Sequence, residues 1–299
     1  TVSIRAAVAS SLLVLLQACS GGGEESSTTP VTKPTVSVEK CADESLKTGY
    51  DCLTLNERDT VVYKPDAESF SGIGLFLHGM PGNVNKVMGI FDAKGIAEKY
   101  NLIALSPHGT TAGWGWRSNN SVNETENVDV EFIKELTNKV KAEHTINSDN
   151  LYVFGYSAGG FMAYKLACDM PEQITAIIAL AGQYRGDLEA CTTSTAVNIH
   201  HFHSPQDVEV PFDGRDVGNI LSVSDSINHW QQKNGCSSEF ETKQQAGVIT
   251  ASAGTATKVY NDCQKSLVLS EMDNVPHEAD YLPVVMRNIY GYLLESTTD

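Results

Sequence analysis

The run Leu151-Tyr152-Val153-Phe154-Gly155-Tyr156-Ser157-Ala158-Gly159-Gly160 decides how this chain folds. Its first half is a short apolar stretch of the kind a buried strand uses, and residues 158–168 have helical character until Pro171 stops them. Between the two, Gly-x-Ser-x-Gly calls for a sharp, strained turn from strand to helix. Glycines two residues before and after Ser157 let neighbouring backbone approach where a Cβ would clash. That turn is expected to expose Ser157 Oγ. It also aims the first amides of the following helix, the Ala158 N–H among them, at a reacting carbonyl oxygen.

Outward from this turn, apolar β-rich runs at residues 60–63, 74–77, 102–106, 151–155, 176–181, 197–203 and 267–270 alternate with segments of helical period. Strands alternating with helices predict an α/β domain with a mostly parallel sheet covered on both faces. Helices are expected over 130–144, where Phe132, Leu136 and Val140 repeat every fourth residue and Asp129 precedes as N-cap, and over 158–168, 221–233 and 281–294. The chain has 299 residues, 41% hydrophobic and 19% charged, an ordinary globular composition. Its formal charge of −16 would repel a phosphate backbone and excludes nucleic acid as an expected partner.

Residues 1–18 read as a signal peptide. The uncharged run 6–16 follows Arg5 and falls short of the about 20 residues that cross a bilayer. The run ends in Leu16-Gln17-Ala18-Cys19, similar to the lipobox of bacterial lipoproteins, which implies lipidation at Cys19. Residues 19–36, rich in Gly, Ser, Thr, Glu and Pro, are expected to form a flexible tether, with the catalytic domain over 37–299. The expected location is therefore outside the cytoplasm, as a cell-surface or periplasmic lipoprotein or a secreted protein, with the lipid as its one membrane contact. Setting Cys19 aside, the seven cysteines leave Cys41, Cys52, Cys168, Cys191, Cys236 and Cys263. No pair has C-x-x-C spacing, so disulfides in an oxidising compartment are the better account than a metal site. Six cysteines admit many connectivities. The sequential pairs 41–52, 168–191 and 236–263 are favoured because each closes a short loop outside the predicted sheet core.

A serine at its ordinary pKa is a poor nucleophile and needs a base oriented by an acid. His277 lies in the polar loop after the strand 267–270, at the carboxyl edge where an open parallel sheet builds its crevice. His229 falls inside a predicted helix and is expected to be structural. Asp207 follows the strand 197–203 at the same edge and is the expected acid, with Glu209 its nearest substitute and Asp213 and Asp216 further rivals. In Leu77-His78-Gly79-Met80-Pro81, Gly79 permits a tight turn and Met80 still carries an N–H, so Met80 and Ala158 are the expected oxyanion donors. His201 and His203 share one face of their strand while His200 points away, and packing beneath the site is expected rather than a metal. Trp114 and Trp116 sit on a loop after strand 102–106, placed to bind a ring or acyl chain or, for one of them, to pack in the core.

Taken together, residues from about 53 to 294 resemble the α/β-hydrolase fold, in particular the esterases that include extracellular polyhydroxybutyrate depolymerases and feruloyl and acetylxylan esterases. Leu77-His78-Gly79 is similar to that family's oxyanion loop, Gly155 to Gly160 to its elbow, and Asp129-Val130-Glu131-Phe132-Ile133 to the start of the helix before the elbow strand. Cys168 and Cys191 flank a strand as a family disulfide does. His201-Phe202-His203-Ser204-Pro205-Gln206-Asp207 with Val210-Pro211-Phe212 resembles the acid loop, with Ser204 where the family has Gly. His277 matches the base, with Val275-Pro276 replacing Gly-Gly before it and Glu278-Ala279 replacing Trp-Pro after it. The resemblance implies a serine carboxylic-ester hydrolase that needs no cofactor. A serine peptidase of the same fold and a non-catalytic surface binding protein are the competing functions. Only residues 182–196 separate two strands where many lipases insert a lid, so an open crevice flanked by acidic surface is expected, suited to short-chain, aryl or polymeric esters.

Overall fold

In the computed structural model, residues 40–41, 44–110 and 115–295 are described, and they fall within one compact unit, Val38–Asp299. The expected signal segment, the tether with Cys19, and Trp114 lie outside the described residues. No helix among the described residues is long and apolar enough to cross a membrane.

Two residue pairs, β1 (Lys40–Cys41) and β2 (Glu44–Ser45), form a small antiparallel ladder. The main sheet has ten strands: β3 (Tyr50–Leu55), β4 (Arg58–Tyr63), β5 (Gly72–Leu77), β6 (Leu102–Pro107), β7 (Leu151–Tyr156), β8 (Ala176–Leu180), β9 (Asn198–His203), β10 (Phe240–Gln245), β11 (Thr255–Tyr260) and β12 (Leu267–Met272). Their spatial order is β10-β11-β12-β9-β8-β7-β5-β6-β4-β3. The six central strands from β12 to β6 pair in parallel, and the flanking pairs are antiparallel. The helices are α1 (Val84–Ile90), α2 (Ala93–Tyr100), α3 (Val128–Glu143), α4 (Ala158–Asp169), α5 (Val223–Lys233), α6 (Pro283–Tyr290) and α7 (Tyr292–Glu295).

Side-chain alternation along each strand feeds two cores, one on each face. Leu151 and Val153 of β7 join Leu75 and Leu77 of β5 against Ile133 and Leu136 of α3, Met162 and Leu166 of α4, and Trp230 of α5. Tyr152, Phe154 and Tyr156, one residue out of phase, join Phe76 against Val87 of α1, Ile96 of α2 and Met286 and Tyr290 of α6. The rings of Phe76 and Phe154 stack at 4.6 Å. Both faces being covered explains why the central strands read as unbroken apolar runs, and each run expected from sequence matches a strand within a residue or two.

Two expectations are corrected, and five elements stand where none was expected. The N-cap of α3 is Asn127, whose Oδ1 accepts the Asp129 and Val130 amides, and not Asp129. Asp129 is fully buried and is committed instead to Arg58, Thr110 and the Arg117 amide. The segment expected as one helix over 281–294 is two, parted at Gly291, with Pro283 opening the first. Strands β3, β10 and β11 and helices α1 and α2 were not expected from periodicity. β10 is polar and almost wholly exposed at the sheet edge, so it lacks the apolar alternation that marks a strand.

The three disulfides are Cys41–Cys52, Cys168–Cys191 and Cys236–Cys263, closing separations of 11, 23 and 27 residues. They match the sequential pairing.

Candidate active site

The elbow forms where β7 meets α4. Ser157 sits there at φ 54°, ψ −117°, a conformation that side chains rarely adopt, and its N–H donates to the Leu180 carbonyl at 2.8 Å. The flanking glycines are sterically required. A Cβ on Gly155 would lie 2.2 Å from the Gly159 carbonyl oxygen, and one on Gly159 would lie 1.9 Å from that of Leu77.

Three strand ends converge on this turn. His277, from the loop after β12, has Nε2 2.9 Å from Ser157 Oγ and Nδ1 2.6 Å from Asp207 Oδ2. A carboxylate only accepts, so Nδ1 carries the proton and Nε2 is free to accept the serine hydroxyl. Asp207, after β9, accepts the Glu209 and Val210 amides at 2.9 Å each through Oδ1. Burial works to raise its pKa, but hydrogen bonds from His277 and Val210, with the nearby imidazoles, outweigh burial and hold it below the ordinary carboxylate value. Glu209 is exposed, and His229, in α5, lies with its ring tilted 5.6 Å from that of Tyr184. The structure therefore joins Ser157, His277 and Asp207 by hydrogen bonds, while Glu209 lines the same crevice and its side chain makes no hydrogen bond to His277.

The loops that carry Asp207 and His277 hold one another by identifiable contacts. Ser204 Oγ accepts the Val275 amide at 3.2 Å, and Gln206 Oε1 accepts that of Asn274 at 3.0 Å, so the acid loop holds the base loop directly. Tyr156 OH donates to the His277 carbonyl at 2.8 Å and reaches Glu278 at 3.0 Å, while Glu278 also pairs with Lys86.

The oxyanion side is built by His78. Its Nε2 accepts the Gly109 amide at 3.1 Å, which leaves the proton on Nδ1 to donate to the Gly79 carbonyl at 2.7 Å. Anchoring that carbonyl fixes the peptide plane whose other end is the Met80 N–H. Gly79 itself comes close enough to Ser157 that a Cβ would lie 3.2 Å from the serine's. Met80 and Ala158 line one crevice with Ser157 and His277, of about 710 Å³. Neither amide donates to an acceptor among the described residues. Trp116 also lines this crevice, but as a substrate contact it is corrected to a largely structural residue. It is 4% exposed, and its indole N–H donates to the His78 carbonyl at 2.9 Å. The expected acidic flank is corrected as well, because Arg117, Arg185 and Arg215 line the crevice.

Beneath the acid, His203 Nε2 donates to the Val210 carbonyl at 2.9 Å and lies 3.6 Å from Asp207 Oδ2, and its Nδ1 accepts His201 Nε2–H at 3.1 Å. His200, on the opposite face, meets Ser270 Oγ at 2.8 Å. The strand geometry expected for the three is present, and they hydrogen-bond to protein. Among the described residues the one grouping with metal-like spacing is Cys41, Cys52 and Asp59, and both cysteines are tied in a disulfide.

Burial lowers His200 to about 3 and, ahead of smaller influences, His78 and His203 to about 4 and His201 well below its ordinary 6.5. In the unfolded chain these imidazoles take up protons near 6.5, which the native state refuses until near 4 or lower. Their contribution to stability is therefore complete above about 6.5 and is lost as pH falls toward 4. The urea midpoint should fall steeply between neutral pH and pH about 5. An unchanged midpoint would mean that the imidazoles titrate alike in both states.

Comparison with known proteins bears on the fold. A solved acetyl xylan esterase from Aspergillus awamori superposes with a TM-score of 0.61 at 15% identity, over 82% of this chain and 98% of the other. The chain has the α/β-hydrolase fold. Within that fold, residues 94–215 match the prolyl oligopeptidase family, a span that holds Ser157 and Asp207 but ends before His277. A probable feruloyl esterase C of Aspergillus clavatus is 25% identical over 219 residues, covering 70% of this chain and 71% of that protein. A bifunctional acetylxylan esterase/xylanase of Neocallimastix patriciarum is 24% identical over 62% of this α/β-hydrolase chain and 26% of its own length.

Proposed function

We propose that this chain, a carboxylic-ester hydrolase of the α/β-hydrolase fold, acts outside the cytoplasm through an acyl-enzyme on short-chain, aryl or polymeric esters. The observation that carries the reading is the unbroken line from Asp207 through His277 to Ser157 Oγ at the edge of an open crevice. His277 Nε2 takes the serine proton as Oγ attacks the ester carbonyl. The oxyanion is received by the Met80 and Ala158 amides, and the alcohol leaves with the proton from His277. Water then attacks the acyl-enzyme by the same path in reverse roles. Plant-wall esters such as those named for the relatives, and polyhydroxybutyrate-type polyesters, fall within this substrate class. Export is supported by the three disulfides. Lipidation at Cys19 is the proposed anchor, and fatty-acid labelling of wild type and Cys19→Ala tests it.

The connection from β8 to β9 supports an uncovered site. It is short, Cys191 within it is tied to α4, and Gly186 and Arg185 are held to the backbone of residues 219–220 and Asn120. Across para-nitrophenyl esters from acetate to palmitate, kcat/KM should peak at short acyl chains and fall about tenfold or more by palmitate, without activation at an oil–water interface. A preference for palmitate with interfacial activation would overturn the open-crevice reading. The match of residues 94–215 to the prolyl oligopeptidase family favours a peptidase as the second reading. Peptide anilides cleaved faster than every ester would establish it.

A further inference from the structure

The crevice beside Ser157 carries a charge opposite to that of the whole protein. Six arginines occur in the chain, whose formal charge is −16. Three of them, Arg117, Arg185 and Arg215, line the crevice with Ser157 and His277. Arg58 and Arg287 are each paired with a carboxylate, Asp129 and Asp92, but none of the crevice three has such a partner among the described residues. Of the two glutamates on the same walls, Glu124 is committed to Lys165 and Asn127, which leaves Glu209 against three guanidinium groups.

Two of these arginines are placed by the backbone. Ile220 forms an isolated bridge with Arg185 and another with Arg215, so residues thirty positions apart in the chain flank one peptide segment. The second bridge exchanges hydrogen bonds of 2.8 and 3.1 Å. Arg185 Nε donates to the Gly218 carbonyl at 2.6 Å, and its guanidinium lies 5.9 Å from the Phe161 ring centre. Its two Nη groups have no acceptor among the described residues, which leaves the outer fork of the guanidinium available. Burial first, and then the neighbouring Arg215, pull Arg185 below its ordinary pKa. Two unneutralised like charges in a partly dewatered crevice are unfavourable until an anion meets them.

We propose that the crevice selects an ester whose acyl or alcohol portion bears a carboxylate, received by Arg185 and Arg215 while Ser157 attacks the ester carbonyl. A guanidinium presents parallel donors that match a carboxylate, and a partly buried fork is worth more than an exposed ammonium. The inference rests on the esterase reading and sharpens its substrate class. A carboxylate on the acyl side would mean half-esters of dicarboxylic acids, and one on the alcohol side would mean esters of hydroxy acids or acidic sugars.

Two matched pairs separate these sources. Para-nitrophenyl hydrogen adipate against para-nitrophenyl valerate puts the charge on the acyl side, and para-acetoxybenzoate against its methyl ester puts it on the leaving group. In at least one pair the charged member should have the higher kcat/KM, with the preference shrinking as ionic strength rises. Arg185→Gln and Arg215→Gln should each lower that charged-to-neutral ratio about tenfold, and Arg185→Lys should lower it less. Arg215 is exposed, so its variant is free of the folding question that the Gly218 contact raises for Arg185. Preference for the neutral member of both pairs, or a ratio unchanged in both Gln variants, overturns the inference while hydrolysis itself upholds the esterase. Calorimetric binding of the para-acetoxybenzoate pair to Ser157→Ala reads the arginines without turnover. Tighter binding of the charged member there, with no ester cleaved by wild type, keeps the carboxylate site at Arg185 and Arg215 and overturns the esterase reading on which the rest of the inference stands.

Discussion

Asp207→Asn is expected to lower kcat by about 10⁴-fold while leaving the fold intact, and Ser157→Ala by about 10⁶-fold. The reason for the first lies in how Asp207 is held. Its Oδ1 accepts two backbone amides, from Glu209 and Val210, so an asparagine keeps its carbonyl oxygen on that side. The amide nitrogen then occupies the place of Oδ2, facing His277 Nδ1 and the Nε2–H of His203. It donates where a carboxylate accepts, which drives the His277 proton onto Nε2 and points that N–H at Ser157 Oγ. A base that points a donor at its nucleophile removes no proton. The measurement is kcat on a short-chain para-nitrophenyl ester beside a thermal melt. Near-normal turnover in Asp207→Asn would transfer the acid role to Glu209, and survival of turnover in Ser157→Ala would refute the mechanism.

Asp129→Ala destabilises the domain by about 3–5 kcal/mol, because it strands a buried charge. Asp129 is fully buried and accepts from Arg58 Nη1 at 2.9 Å, Thr110 Oγ1 at 3.0 Å and the Arg117 amide at 2.7 Å. Arg58 is itself 12% exposed, lies 3.7 Å over the Phe132 ring and donates to the His108 carbonyl through Nε and Nη2. Without the carboxylate the guanidinium keeps its burial and loses its counter-charge. Replacing both partners with apolar residues, Arg58→Met with Asp129→Leu, should recover most of the loss, since an unpaired ion costs more than an absent pair. Urea unfolding of the single and double variants decides it. A single-variant loss below about 1 kcal/mol would show that water reaches the pair.

The legible parts of the sequence were those where burial is two-sided or where the chain itself is sterically cornered. The central strands are apolar throughout because helices cover both faces, and the elbow glycines are forced by contacts of about two ångströms. Ser157, Asp207 and His277 were legible because each follows an apolar strand at the same sheet edge. Edge strands such as β10 were not, since their residues face water and carry no period. The Asn127 cap was hidden because Asp129, an equally good capping type, stands two residues on and is used elsewhere. His78 sat beside the expected oxyanion loop, but its role depends on Gly109, 31 residues away. The crevice arginines were masked by the overall acidity, since Arg185 and Arg215 meet only through Ile220.

His277 follows β12, yet its imidazole meets Ser157 at the end of β7, with β9 and β8 between the two strands. At about 4.8 Å per strand the separation is about 14 Å, and the imidazole with its hydrogen bond to Ser157 bridges much of it, so the loop is free to turn at Asp273 and Asn274, the latter at φ 52°. Ser204 and Gln206 grip that loop at the Val275 and Asn274 amides, so the imidazole is set by the neighbouring loop and not by the tension of its own strand. A change at either of those two side chains therefore reaches His277 without touching Ser157 or Asp207.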